Sequence, residues 1–309
     1  MKRLVAVIGP TATGKSQLAL HLARNFDGEI INADSRQVYR YMDIGTAKPG
    51  LDDLALIRHH IIDLINPDEL FSLAQYQKLA LEAIDDIINR KKLPFIVGGS
   101  GLYVWSILEG WEIPSVPPNS EFRTKLEHKA ERNGSYALFQ ELQRVDPLAA
   151  TKIMPGNLRR IIRALEIYQK TGRPVSEQWQ KQRPPFETLI IGLTAPRPEL
   201  YRRIDLRVDQ MVKTGLIDEV QALIARGYSL DLPSMSGIGY KQIAMFLEGK
   251  IELKTAIEQI KRDTHHLARH QYAWFKLGDP RIHWLNESRD PFKEATTLVN
   301  LFLSSGTNR

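Results

Sequence analysis

Apolar residues along this chain fall into two alternating patterns: short unbroken runs, and longer stretches with an apolar residue every three or four positions. Leu4–Ile8, Leu93–Val97 and Leu189–Leu193 are the short runs and read as strands, Leu93–Val97 as a buried one, and Glu29–Ala33 reads as a further strand ending at Asp34. Gln17–Arg24 has helical spacing, and Ser72–Asn89 places Leu73, Tyr76, Leu79, Ala80, Ala83, Ile84 and Ile87 on one stripe. Strands that alternate with helices predict a parallel sheet wound by right-handed crossovers. Further helices are predicted over Arg202–Ile224 and Ile257–Lys276, with Ile282–Leu285 as a last strand.

This alternation breaks in the middle. From Pro114-Ser115-Val116-Pro117-Pro118 to Arg183-Pro184-Pro185, proline clusters bracket a segment with helical periodicity and no strand pattern. It reads as a helical insertion, residues 114–185, between two parts of one core, residues 1–113 and 186–309. The chain has 42 Lys/Arg and 36 Asp/Glu, and residues 121–183 alone hold 13 of the basic and 7 of the acidic ones. Every other region together therefore balances at 29 of each sign. A positive excess confined to one segment reads as an electrostatic footprint for a polyanion; the alternative is a solvated, Lys/Arg-rich helical surface.

Composition narrows the class. Hydrophobic residues make up 43% and charged residues 25%, ordinary usage for a soluble globular chain. The basic start is followed by an apolar run too short for a secretory signal, and no stretch approaches the length of a membrane span. With 0 Cys there is no disulfide framework and no thiolate metal site. A cytoplasmic location without a membrane partner is the expectation.

Gly9-Pro10-Thr11-Ala12-Thr13-Gly14-Lys15-Ser16 matches G-x-x-x-x-G-K-[ST], and it stands between a predicted strand and a predicted helix as a phosphate-binding P-loop must. Backbone N–H groups and a helix N-terminus would hold phosphate oxygens, Lys15 would neutralise them, and Ser16 would reach Mg²⁺. Nucleotide-hydrolysing relatives of this loop need an apolar strand ending in Asp or Glu. Here Leu93–Val97 runs into Gly98-Gly99-Ser100-Gly101, and the carboxylate instead closes the second strand as Asp34. Ligands of open α/β sheets sit at the carboxyl ends of strands, so Asp34, Ser100 and the P-loop are expected around one cavity. The alternative for Asp34 is a helix cap or turn.

The series Gly9–Ser16, Asp34-Ser35-Arg36-Gln37-Val38-Tyr39, Met42-Asp43-Ile44-Gly45-Thr46-Ala47-Lys48-Pro49 and Gly98-Gly99-Ser100-Gly101-Leu102-Tyr103 resembles bacterial tRNA dimethylallyltransferases. Arg159–Glu166, Ile238-Gly239-Tyr240-Lys241-Gln242 and Ala268-Arg269-His270-Gln271 with Trp274-Phe275 continue the resemblance over most of the chain. It implies a P-loop NTPase-like core that binds dimethylallyl diphosphate and Mg²⁺, with a helical insertion that grips the anticodon stem-loop of tRNA. By the same resemblance Asp34 is the general base for an adenine amine, Ser100 stands where the family usually has Thr, and Arg207 and Lys15 hold the diphosphate. RNA contacts are implied at Asp34, Ser35, Arg36, Gln37, Ser100, Arg123, Arg159, Arg160, Ile161, Ile162, Arg163, Ser236, Gly237, Ile238, Gly239, Tyr240 and Lys241. His265 and His270 stand where relatives usually carry Arg. Arg203 reads as half of a surface ion pair, His266 and His270 as a solvent-facing pair without a third metal ligand, and the protein as a monomer.

Overall fold

A computed structural model of the protein describes residues 2–178, 180–286 and 290–305; the expected domain limits at residues 1 and 309 lie outside them. The chain divides into two compact units, Met1–Leu108 with Pro184–Arg309, and Glu109–Arg183. The second unit opens five residues ahead of the first proline cluster.

The first unit is built on one parallel sheet. Its strands are β1 (Lys2–Ile8), β2 (Gly28–Asn32), β3 (His59–His60), β4 (Leu93–Gly98), β5 (Phe186–Thr194) and β6 (Ile282–Asn286), in the order β3-β2-β4-β1-β5-β6. Neighbours β1 and β4 send their chains in opposite directions, to β2 and to β5, which makes their carboxyl ends the topological switch point of the sheet. Alternation along β1 explains the burial of both faces. Val5 and Val7 pack with Leu18 and Leu22 of α1 (Lys15–Asn25) and with Val299 near the chain's end; Leu4, Ala6 and Ile8, equally buried, point the other way.

After the short α2 (Leu51–Leu56), α3 (Leu73–Asn89) packs against β2 and β4 through Tyr76, Ala80, Ala83, Ile84 and Ile87, five of the seven residues of the predicted stripe. Ser72 and Gln75 close a capping box that starts α3 one residue later than predicted. Helix α4 (Gly101–Leu108) ends this stretch of the sheet unit.

The second unit contains α5 (Ser120–Asn133), α6 (Ser135–Val145), α7 (Pro147–Lys152) and α8 (Leu158–Thr171) around its own apolar core, with Leu126, Leu138, Leu142, Ile161 and Leu165 at its centre.

Returning to the sheet unit, the helical stretch predicted over Arg202–Ile224 comprises two helices, α9 (Arg197–Lys213) and α10 (Leu216–Ala225). Gly215 between them sits at φ +110°, a left-handed conformation that no helix can continue through. The unit closes with α11 (Tyr240–Leu247), α12 (Leu253–Trp274) and α13 (Pro291–Ser304). Edge strand β3 is two residues long, which is below any periodic signal; it is held by pairing with Ile30 and Ile31 and by a 2.7 Å contact from His60 Nε2 to Glu29.

Candidate active site

Parallel register brings three loops to one edge of the sheet. Ile8 of β1 stands beside Gly98 of β4, and Asn32 of β2 beside Val97. The loops that follow carry the P-loop, Asp34 and Ser100. Gly9 adopts φ +138°, and a Cβ there would lie 2.3 Å from the Leu193 carbonyl oxygen, so the turn needs glycine. Gly14, also left-handed, caps α1 so that the helix begins at Lys15.

The cations of this site are held on neutral oxygens. Lys15 Nζ donates to the Pro10 carbonyl at 2.5 Å, and Thr13 Oγ1 donates to the same oxygen at 2.9 Å. Arg207 Nη1 reaches Thr11 Oγ1 at 3.4 Å from α9. Burial, with a further contribution from Arg207, lowers the Lys15 pKa to about 7 against the opposing pull of Asp34. Burial also lowers Arg207, again opposed by Asp34. Two half-buried cations disfavour each other here, and a polyanion beside them would remove the penalty for both.

Asp34 is both a turn residue and a candidate base. Its Oδ1 accepts the Arg36 N–H at 2.9 Å in an Asx turn, and Asn32 Oδ1 accepts the Asp34 N–H at 2.9 Å. Oδ2 has no hydrogen-bond partner among the described residues. The carboxylate is thereby oriented by one oxygen and leaves the other for chemistry. Ser100 acts on the next residue: its Oγ accepts the Ser35 N–H at 3.0 Å and lies 3.3 Å from Ser35 Oγ.

Gln271 of α12 ties the P-loop to the Ser100 loop. Its Oε1 accepts the Thr11 N–H at 2.8 Å and its Nε2 donates to the Gly99 carbonyl at 3.1 Å. A signal for it was present, since Gln271 falls on the buried stripe of α12 with Ala256, Ile260 and Ala268. A polar residue in an apolar stripe marks a specific hydrogen-bond task.

Several expected RNA contacts are placed elsewhere. Ile161 and Ile162 are buried in the apolar core of the helical unit, because α8 turns that face inward, so their side chains offer nothing to a ligand. Tyr240 is 1% exposed and donates its hydroxyl to Glu219 at 2.6 Å; Gly237 and Gly239 are buried as well. Arg36 donates to the carbonyls of Pro233 and Ser234, and Gln37 to those of Thr46 and Ala47. Ile238 is partly exposed, and Ser236 and Lys241 are exposed.

In the helical unit Arg159 and Arg160 stand in solvent, whereas Arg123 and Arg163 pair with Glu166 at 2.7 and 2.5 Å. Burial raises the Glu166 pKa, but hydrogen bonds from Arg123, the Asn119 N–H and Arg163 outweigh it and hold the carboxyl at about 2. Arg203 pairs with Glu199 at 2.6 Å as expected. His266 and His270 are exposed, and no group of three or more His, Cys, Asp or Glu suited to a metal occurs among the described residues. His265 stacks on Tyr201 at 3.9 Å. No helix among the described residues is long and apolar enough to cross a membrane.

A family model described as IPP transferase matches residues 37–278. The tRNA dimethylallyltransferase of Roseiflexus castenholzii is 54% identical over 273 residues, covering 88% of this chain and 89% of its own. That of Roseiflexus sp. is 50% identical over 302 residues, covering 98% and 99%. Among solved structures, the full-length tRNA isopentenylpyrophosphate transferase of Bacillus halodurans is 40% identical with a TM-score of 0.72, covering 99% of this chain and 96% of that one. A eukaryotic dimethylallyltransferase captured acting on tRNA is 29% identical with a TM-score of 0.85, covering 99% and 80%. With sheet, P-loop and Asp34 loop in place and relatives matched over nearly their whole length, the chain belongs to the IPP transferase family and is a prenyltransferase.

Proposed function

We propose that the chain transfers a dimethylallyl group from dimethylallyl diphosphate to the exocyclic amine of the adenosine 3′-adjacent to the anticodon in tRNA, releasing diphosphate. One observation carries the residue-level reading: a carboxylate with one oriented and one unpartnered oxygen shares a sheet edge with a loop lined by two half-buried cations. An adenine amine is a weak nucleophile and a diphosphate is a good leaving group once its charge is neutralised. The protein therefore has to orient the first and stabilise the second. Asp34 Oδ2 takes the proton lost as the amine nitrogen forms its bond to the allylic carbon, while the carbon–oxygen bond to diphosphate breaks. The residues Gly9, Pro10, Thr11, Ala12, Thr13, Gly14, Lys15 and Ser16, with Arg207, hold the charge that develops on the departing diphosphate. Ser100 keeps the segment after Asp34 in place. The adenine must leave its stack to reach this edge, as with other enzymes that modify a base.

The P-loop offers Ser16 Oγ, exposed in the first turn of α1, and no dedicated cage of carboxylates. That donor set fits Mg²⁺, which keeps several waters and takes other ligands from phosphate oxygens. When bound it neutralises charge on the diphosphate. Arg159, Arg160 and Lys241, exposed, are the cations of the implied set available to the RNA backbone.

Incubation with undermodified tRNA, dimethylallyl diphosphate and Mg²⁺ should yield prenylated adenosine and diphosphate. Asp34→Asn should slow transfer by ~10²–10⁴-fold with tRNA affinity unchanged, the usual worth of a general base. Binding and turnover of ATP without binding of the isoprenoid diphosphate would overturn the reading in favour of a kinase.

A further inference from the structure

The segment that carries Asp34 is supported from two sides. On one side, Gln37 Nε2 donates to the carbonyls of Thr46 and Ala47, at 3.1 Å each, and Lys48 Nζ donates to the Tyr39 carbonyl at 2.9 Å. These bonds fasten the segment to the loop at residues 42–48. On the other side, Arg36 donates to the Pro233 and Ser234 carbonyls at 2.9 and 3.3 Å, and to Ser236 Oγ at 3.4 Å. These fasten it to the loop that leads into α11.

Both supports end on one carboxylate. Glu219, in the first turn of α10, accepts the Asp43 and Ile44 N–H groups on Oε2 at 2.8 and 2.7 Å. On Oε1 it accepts the Gly45 N–H at 3.1 Å and the Tyr240 hydroxyl at 2.6 Å. Three successive backbone N–H groups turned on one anion form a nest, which fixes the loop more firmly than any neutral acceptor would. Tyr240 is the first residue of α11, so the same carboxylate grips the second support where that helix begins. Burial, and the Glu219 charge beside it, push the Tyr240 hydroxyl far up, so it stays a neutral donor.

We infer that Glu219 is a positioning residue for the transfer reaction: it joins the two supports of the Asp34 segment and so sets where Asp34 Oδ2 points. Among the described residues Glu219 has no hydrogen bond to the P-loop or to Asp34; its hydrogen bonds go to these braces. The inference rests on Asp34 being the base. Glu219→Gln keeps the shape but sets an amide nitrogen against N–H donors.

The test is a double-mutant cycle on the full chain, measured as the single-turnover transfer rate together with KM for each substrate and the melting temperature. Glu219→Gln should slow transfer on the order of 10- to 100-fold, the effect of a small misplacement, with KM for dimethylallyl diphosphate little changed. In an Asp34→Asn background the same change should cost less than about twofold, because residues acting as one unit are non-additive. Tyr240→Phe, which removes one of the four donors, should slow transfer in the same direction by less, and carries the test if Glu219→Gln fails to fold. Equal slowing in both backgrounds would overturn the inference while leaving Asp34 as the base. Asp34→Asn at the parent's rate would overturn the reading of Asp34 and the inference with it.

Discussion

In the sheet unit Lys15 and Arg207 face the site half-buried on neutral oxygens, whereas in the helical unit Arg123 and Arg163 are tied to Glu166 and Arg159 and Arg160 stand in solvent. The same residue types therefore do three kinds of work. On the proposed function, a cation without a carboxylate is charge for the diphosphate; a cation on a buried glutamate is structure; a cation in solvent is a long-range attraction that salt can screen. Counting charge along the sequence merges all three. The excess over residues 121–183 is real, but not all of it is free to meet RNA.

The largest effect that can break this division is at Lys15. Lys15→Ala should reduce transfer by ~10²–10³-fold, the scale of a lost oxyanion donor, and weaken diphosphate binding. Its tRNA affinity should match the parent's in a filter-binding titration. A parallel fall in tRNA affinity would show that charge in the sheet unit is not reserved for the donor.

Next comes Glu166, which is 1% exposed. Replacing it by Ala should destabilise the helical unit by about 3 kcal/mol, as expected when one partner of a buried ion pair is removed. Hydrogen exchange of peptides from residues 109–183 should rise while that of β1 and β4 stays put. The pH dependence has a definite sign. Because the folded carboxyl titrates at about 2, below its unfolded value of about 4.3, its contribution is present above that unfolded value and is lost as pH falls from there toward 2. Glu29 of the sheet unit, held at about 2 by hydrogen bonds from Arg90, against burial, and from His60, behaves alike. Glu166→Gln should remove the acid-induced loss from the helical unit alone, which sharpens the comparison segment by segment.

The smallest effect separates the two kinds of arginine inside the helical unit. Neutralising Arg159 and Arg160 together should flatten the salt dependence of tRNA binding by about 1.5 in the log–log slope, close to one phosphate contact each. Arg163→Gln should instead act with the Glu166 variants, raising exchange over residues 109–183. If all three arginines change the salt slope equally, the distinction between structural and available charge fails.

Where a motif is short in sequence and its geometry local, the placement of the candidate site's loops is legible in the sequence. The strand–loop–helix of the P-loop and the carboxylate closing β2 in place of β4 both follow from residues within one turn of each other. The sheet was legible only as a class, since β3, two residues long, is too short to announce itself. Burial was the main blind spot. Ile161 and Ile162 share a motif with Arg159 and Arg160, and only the helical phase against a neighbouring core decides which of the four face water. The role of Gln271 within its motif, and Glu219 altogether, are hidden because their partners lie far away in the chain, at Thr11 and Gly99 for the first and at Asp43–Gly45 for the second.

The order of the strands has a consequence for how the molecule is made. β1 is synthesised first, yet one of its two neighbours is β5, where Val5 pairs with Leu189, so its second edge stays open while residues 109–183 leave the ribosome. That intervening unit closes on contacts among helices that all lie within residues 120–171, which form quickly, whereas the β1–β5 ladder spans the longest loop in the sheet and forms slowly. The nascent chain thus completes its middle before its beginning. During that interval the exposed edge of an apolar strand is what a holding chaperone would bind, and a halt in translation before residue 186 would leave a folded helical unit trailing from an unfinished sheet.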